Sequence, residues 1–198
     1  MYDLPYIGID TGDAGMLRYA ILGMLGYQPM TGYGVKHAMD SSTGYFWHAK
    51  LSQIYTTLKQ LEKEGAVSSA VERQATRPEK RVYSITDAGR RDLDEWLAAP
   101  LIGLDPRKET LLLKVFFSGR LDRETLLTNL HLQRELHRKQ AELYRTHTAR
   151  EIARAAAQNP AVAKDAMLWE ATRRFGERLE DLMVNWLDET RRLVEENW

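Results

Sequence analysis

The side chains best suited to chemistry in this 198-residue chain are short, polar and basic, and they fall in one stretch. Ser52, Gln53, Thr56 and Lys59 recur at spacings that put Ser52, Thr56 and Lys59 on one helical face at ~100° per residue, with Gln53 and Tyr55 on its flanks. Side chains of this size can hydrogen-bond the edges of bases. Bidentate pairing of the Gln53 amide with adenine is the clearest case, and the Tyr55 hydroxyl suits a phosphate. Some twenty residues on, Arg77, Lys80 and Arg81 form a basic cluster that could neutralise phosphates. Between Lys50 and Arg91 nine basic residues stand against five acidic ones, although the whole chain has a net charge of zero. Folding must therefore gather that local surplus on one face for it to act.

Other chemistries find little support. The histidines include His131, His137 and His147, and none of these pairs shares a helical face at ligand spacing, so no metal site is expected. Gly-x-Ser-x-Gly, His-Glu-x-x-His and a glycine-rich phosphate loop are absent, and no enzyme or cofactor is expected. There is no cysteine, which excludes disulfides and thiolate chemistry. No apolar run approaches the roughly 20 residues of a membrane span. Met1 to Gly15 carries no Lys or Arg, so a secretory signal is not expected either, and the expected compartment is the cytoplasm.

The elements that must position these residues follow from periodicity. Residues 1–15 read as a flexible arm containing Gly8, Gly12 and Gly15. Leu17, Ala20, Ile21, Met24 and Leu25 make the stripe of a first helix. After a break at Gln28–Gly32, Thr31 is placed to cap a second helix through Val35 and Met39. A third helix is predicted over Ala49–Lys63, with Ile54, Leu58 and Leu61 inward and Gly65 as its stop. Val67–Val71 and Val82–Ile85 read as a hairpin with its tip at Gln74–Lys80. Thr86-Asp87 opens a further helix that Pro100 ends.

Leu101–Pro106 reads as a linker, and beyond it the chain reads as helical. Leu111, Leu112, Leu113, Val115, Phe116 and Phe117 are apolar nearly all round, so this short helix should be buried. A long helix is predicted from Arg123 to Ala157, with Leu126, Leu127, Leu130, Leu136 and Leu143 inward. After Asn159-Pro160, Leu168, Phe175, Leu179, Leu182, Trp186 and Leu193 repeat as a heptad seam suited to pairing with a second copy. The expected fold is thus mainly α with a small β wing. Residues 16–100 form a winged helix-turn-helix domain, and residues 101–198 an all-helical dimerisation domain.

Specific runs carry a family resemblance. Ile54-Tyr55 followed by Leu58-Lys59-Gln60-Leu61-Glu62-Lys63-Glu64-Gly65 resembles the recognition-helix signature of the PadR family. Leu22-Gly23 with Gly32-Tyr33-Gly34 resembles its first turn, and Arg81 to Arg90 its wing strand and following helix. Arg107–Thr110, Leu113–Phe117 and Trp186-Leu187 are similar to the subfamily with a helical virulence-activator-type C-terminal domain.

The resemblance implies a two-fold dimer, usually a repressor, whose C-terminal helices exchange between subunits and whose wings and third helices straddle a pseudo-palindromic site. Some members hold flat aromatic effectors between tryptophans, which makes Trp96 the candidate here; Trp47 is expected to pin the third helix to the first. Members with an aromatic cluster like Tyr45-Phe46-Trp47 here often carry a small hydroxyl residue shortly after it, where this chain has Lys50. Lysine has no acceptor with which to cap a helix, which leaves Ser52, water or a shifted helix start, and lets Lys50 approach a phosphate. Sequence-specific binding of double-stranded DNA as a homodimer, with a small aromatic effector to relieve it, is the leading expectation. The zero net charge keeps open a protein-interaction dimer whose winged helix does not bind DNA.

Overall fold

The computed structural model describes residues 13–44, 46–74, 77–101 and 109–198, with side chains at 13, 14 and 72–79 excepted. Most of the expected N-terminal arm, Tyr45, the Arg77 side chain and most of the Leu101–Pro106 linker lie outside the described residues. The chain divides into two compact units, residues 1–106 and 107–198.

The first unit runs α1 (Asp13–Tyr27), β1 (Met30–Thr31), α2 (Gly32–Ser42), α3 (Leu51–Lys63), β2 (Val67–Gln74), β3 (Arg77–Ile85) and α4 (Asp87–Ala98). Its core joins Leu17, Ile21, Leu22 and Leu25 of α1 to Val35 and Met39 of α2 and to Ile54, Leu58 and Leu61 of α3. Val67 and Tyr83 close that core from the sheet, and Trp47 packs against it. Local chemistry sets the boundaries. The Thr31 hydroxyl accepts from the Gly34 amide at 2.9 Å and starts α2. Gly65, at φ +75°, takes the left-handed position that ends α3. Thr86 accepts from the Gly89 amide and donates to the Gly65 carbonyl at 2.7 Å, so one hydroxyl starts α4 and ties it to the end of α3. Gly89 lets α4 approach the entry to β2, because a Cβ there would lie 2.1 Å from the Ala66 carbonyl oxygen.

Two features of this unit differ from the sequence expectation. β1 is a strand of two residues that pairs antiparallel with β3, Met30 opposite Tyr83 and Thr31 opposite Val82, giving the order β1-β3-β2. The wing strands also extend to Gln74 and Arg77, where a longer polar tip was expected. The backbone ladder continues past the last apolar residue, with Glu72 opposite Lys80 and Gln74 opposite Arg77 across an irregular register.

The second unit runs α5 (Thr110–Phe116), a 3-10 turn, α6 (Arg123–Leu143), a π-turn at Tyr144–Thr148, α7 (Ala149–Gln158), a second 3-10 turn and α8 (Ala163–Asn197). The predicted helix from Arg123 to Ala157 is therefore interrupted by the π-turn. Leu126 and Leu130 of α6 pack on Leu187 and Val194 of α8, flanked by Leu111, Val115, Leu127 and Trp186. Beyond that cluster the α6–α8 seam is polar. Arg134 meets Asp188 at 2.8 Å, His137 meets Glu180, and Arg145 meets Glu177 and Asp181. Leu136 and Leu143, expected inward, are 59% and 51% exposed. At ~100° per residue both lie with Leu132 on the side of α6 away from Leu126 and Leu130, while Ala141 and the following Tyr144 continue the buried side. Expected burial of residues 111–117 also fails in the single chain: Leu112, Leu113, Phe116 and Phe117 are all exposed. Their apolar character leaves a surface for contacts beyond one chain.

Candidate nucleic-acid interface

The inner stripe of α3 decides what its outer face can do. With Ile54, Leu58 and Leu61 fully buried, Ser52, Thr56, Lys59 and Lys63 are held outward and exposed. Lys50 precedes the helix in extended conformation. The Gln53 carboxamide oxygen accepts from the Lys50 amide at 2.8 Å. Neither Ser52 nor the Lys50 side chain caps the first-turn amides; the reciprocal half of a capping box, from the Lys50 amide to Gln53, marks the helix start at Leu51. Its Nε2 group remains a donor on a side chain that is exposed. Thr56 returns its hydroxyl proton to the Ser52 carbonyl at 2.9 Å, keeping its lone pairs and methyl group on the outer face.

Tyr55 lies on the flank, half-exposed, with its ring against α2. A Cβ on Gly32 would sit 2.5 Å from that ring, so glycine at the start of α2 makes room for it. Lys80 and Arg81 of the wing do not form one group. Strand alternation puts Lys80 and Arg81 on opposite faces of β3. Arg81 reaches back to Glu62 of α3 and Ser69 of β2. The Arg77 side chain lies outside the described residues.

Other residues that shape the site carried no sequence signal. Arg18 of α1 bonds Asp92 of α4 at 2.6 Å and meets Glu64, just past the end of α3, at 3.1 Å, so three elements share one guanidinium. Together these carboxylates raise the Arg18 pKa against the opposing effect of burial. Trp96 stacks on Tyr19 at 4.5 Å between centroids and 7° between planes, with the Arg18 guanidinium 5.6 Å from the Tyr19 ring. Among the described residues no helix is long and apolar enough to cross a membrane.

A helix-turn-helix whose third helix shows a polar outer face, followed by a two-stranded wing and a separate helical unit, defines a winged helix-turn-helix regulator. The family model described as "Transcriptional regulator PadR-like family" matches residues 21–95, and "Virulence activator alpha C-term" matches residues 107–195. The chain is 33% identical over 190 residues to the Mycobacterium tuberculosis protein named "Probable transcriptional regulator Rv1176c", covering 91% of this chain and 98% of that one. It is 37% identical over 109 residues to "Negative transcriptional regulator PadR" of Bacillus subtilis, covering 55% of this chain and 60% of that one. The crystal structure of Bacillus subtilis PadR in complex with operator DNA superposes with a TM-score of 0.75 at 27% identity, over 90% of this chain and 99% of that one. The Vibrio cholerae virulence activator AphA gives 0.67 at 29% identity, over 91% and 98%. This chain belongs to the PadR family of transcriptional regulators.

Proposed function

We propose that this regulator binds a specific, pseudo-palindromic DNA sequence as a homodimer and represses transcription there. The observation that carries the reading is the outer face of α3, where Ser52, Thr56, Lys59 and Lys63 stand exposed over a fully buried Ile54–Leu58–Leu61 stripe. Such a face fits the major groove, with Gln53 and Thr56 reading base edges and Lys50, Lys59, Lys80 and the Tyr55 hydroxyl on phosphates. Arg77 joins the phosphate set from the sequence alone. The operator complex of one relative and the name of that relative as a negative regulator support DNA binding and repression. The α8 stripe of Leu168, Phe175, Leu179, Leu182 and Trp186 supplies the dimer seam, and the protein works in the cytoplasm.

A small aromatic effector is a second reading. The Trp96–Tyr19 stack favours it, because the half-exposed indole offers its other face to a flat aromatic compound. Quenching of tryptophan fluorescence by such a compound, lost in Trp96→Leu, is the measurement that checks it.

Gln53 gives the sharpest test of sequence reading. Bidentate pairing with adenine requires it to exchange its bond to the Lys50 amide for one to the base. Gln53→Ala should weaken binding to the preferred duplex by about 1–3 kcal/mol and leave random duplex nearly unaffected. Gln53→Glu keeps an oxygen for the cap and removes the amide donor, so it should shift the preferred base without loosening the helix start. Selection of bound sequences from a random pool reads both variants. Identical preferred motifs for all three proteins would sink the role of Gln53.

A further inference from the structure

The register of the wing sets Arg81 apart from its basic neighbours. Val67, Ser69 and Val71 of β2 stand opposite Ile85, Tyr83 and Arg81 of β3, so Arg81 shares the face that carries buried Tyr83 into the core. That face turns Arg81 toward the C-terminal half of α3. Its Nε donates to the Ser69 hydroxyl at 2.7 Å, and its Nη2 lies 3.1 Å from both carboxylate oxygens of Glu62. The Ser69 hydroxyl in turn donates to Glu62 at 2.5 Å, and the guanidinium sits 5.8 Å from the centroid of the Tyr83 ring. Three groups from α3, β2 and β3 thus close a ring of hydrogen bonds.

We propose that Arg81 is a latch that fixes the angle of the wing against the recognition helix, with Glu62 and Ser69 as its other members, and is not a phosphate ligand. The inference rests on the DNA-binding reading above. Two arguments carry it. Glu62 already takes the Nη2 edge of the fork, and its charge offsets that of Arg81 where a phosphate would approach. The hairpin also leaves the core beyond Tyr83, where the backbone ladder alone would let it swing; a planar fork bonded to two other elements restrains that motion. Arg81 and Glu62 are too exposed for the ring to add much global stability. Its work is orientation: it places Lys80, on the other face of β3, and the wing tip relative to α3.

Arg81→Lys keeps the charge but not the fork, and Ser69→Ala removes one corner of the ring without changing charge. These are compared with Arg81→Gln and wild type on a duplex selected by the wild-type protein from random sequence, across roughly 50–300 mM salt. The latch predicts that Arg81→Lys and Ser69→Ala each lose about threefold to tenfold in affinity, the scale of one modest hydrogen bond. All variants should keep the wild-type salt slope, and wing amides should exchange faster in the free Arg81→Lys protein. The latch is overturned if Arg81→Lys binds as wild type while Arg81→Gln lowers the slope by about one per subunit, the behaviour of a phosphate contact. Should wild type bind no duplex, the DNA-binding reading fails instead. Amide exchange then judges the latch alone, and unchanged exchange in Arg81→Lys overturns it.

Discussion

Leu182→Asp should sediment as a monomer at micromolar concentration where wild type sediments as a dimer. On α8, the residues buried against the rest of the unit are Ala166, Arg173, Gly176, Leu187 and Val194. Leu168, Phe175 and Leu182 lie on the opposite side of the same helix and are 59%, 55% and 61% exposed in the single chain. Leu179, partly buried, continues that stripe, and Trp186 borders it while packing on the cluster of its own chain. A surface so apolar, running along a 35-residue helix, is what a second copy would cover. An aspartate buried in its middle without a partner costs several kcal/mol, enough to dissociate a micromolar dimer. Because Leu182 makes no contribution to the core of its own chain, circular dichroism should retain the helical signal. A Leu182→Asp protein that stays dimeric would place the interface elsewhere.

Arg173→Ala should destabilise the helical unit by about 3 kcal/mol in urea unfolding at neutral pH, the lower end for breaking a buried ion pair because both carboxylate partners keep some access to water. Arg173 is 7% exposed and bonds Glu170 at 2.7 and 2.9 Å, Glu177 at 2.7 Å and the Tyr144 carbonyl at 3.2 Å. That carbonyl belongs to the first residue of the π-turn, where the regular helical ladder is broken. One guanidinium therefore holds two carboxylates and the irregular turn together.

The same group sets an acid dependence. Hydrogen bonding to Arg173, outweighing burial, lowers the Glu170 pKa from 4.5 to about 2, and Glu177 is lowered by Arg173 in the same direction. A folded pKa below the unfolded one stabilises above the unfolded value and loses that contribution as protons bind. Wild type should thus lose stability as pH falls from about 5 toward 2, and Arg173→Ala should lose less over that window. Unfolding at fixed protein concentration at both ends of the window checks this, since dimerisation also shifts apparent stability. Parallel pH curves for the two proteins would refute the assignment.

The sequence revealed what short-range rules govern. Thr31, Thr86 and Gly65 mark element ends because their side chain, or the lack of one, acts on a backbone a few residues away. The inner stripe of α3 was equally plain, since Ile54, Leu58 and Leu61 repeat at helical spacing over about two turns. Long-range pairing was not legible. β1 is too short for a pattern and exists only by pairing with β3, some fifty residues on. The Glu62–Arg81 contact spans 19 positions, and that of Arg173 with the Tyr144 carbonyl spans 29.

Leu136 and Leu143 misled for a different reason. Leucine repeats on both sides of α6, one side facing α8 and the other facing outward, and periodicity alone does not say which is which. The cap made by Gln53 shows the same limit from the polar side: the residue reads as a base reader, while the structure gives its oxygen a second task at the helix start.

The central claim is sequence-specific DNA binding through α3 and the wing. Its most direct test is a titration of wild-type protein with the duplex selected from a random pool and with an unrelated duplex of equal length, repeated across salt concentrations. Wild type should bind the selected duplex tighter by about a thousandfold or more, with affinity for both falling linearly in log salt. Equal affinity for the two duplexes, or no binding at low salt, would contradict it.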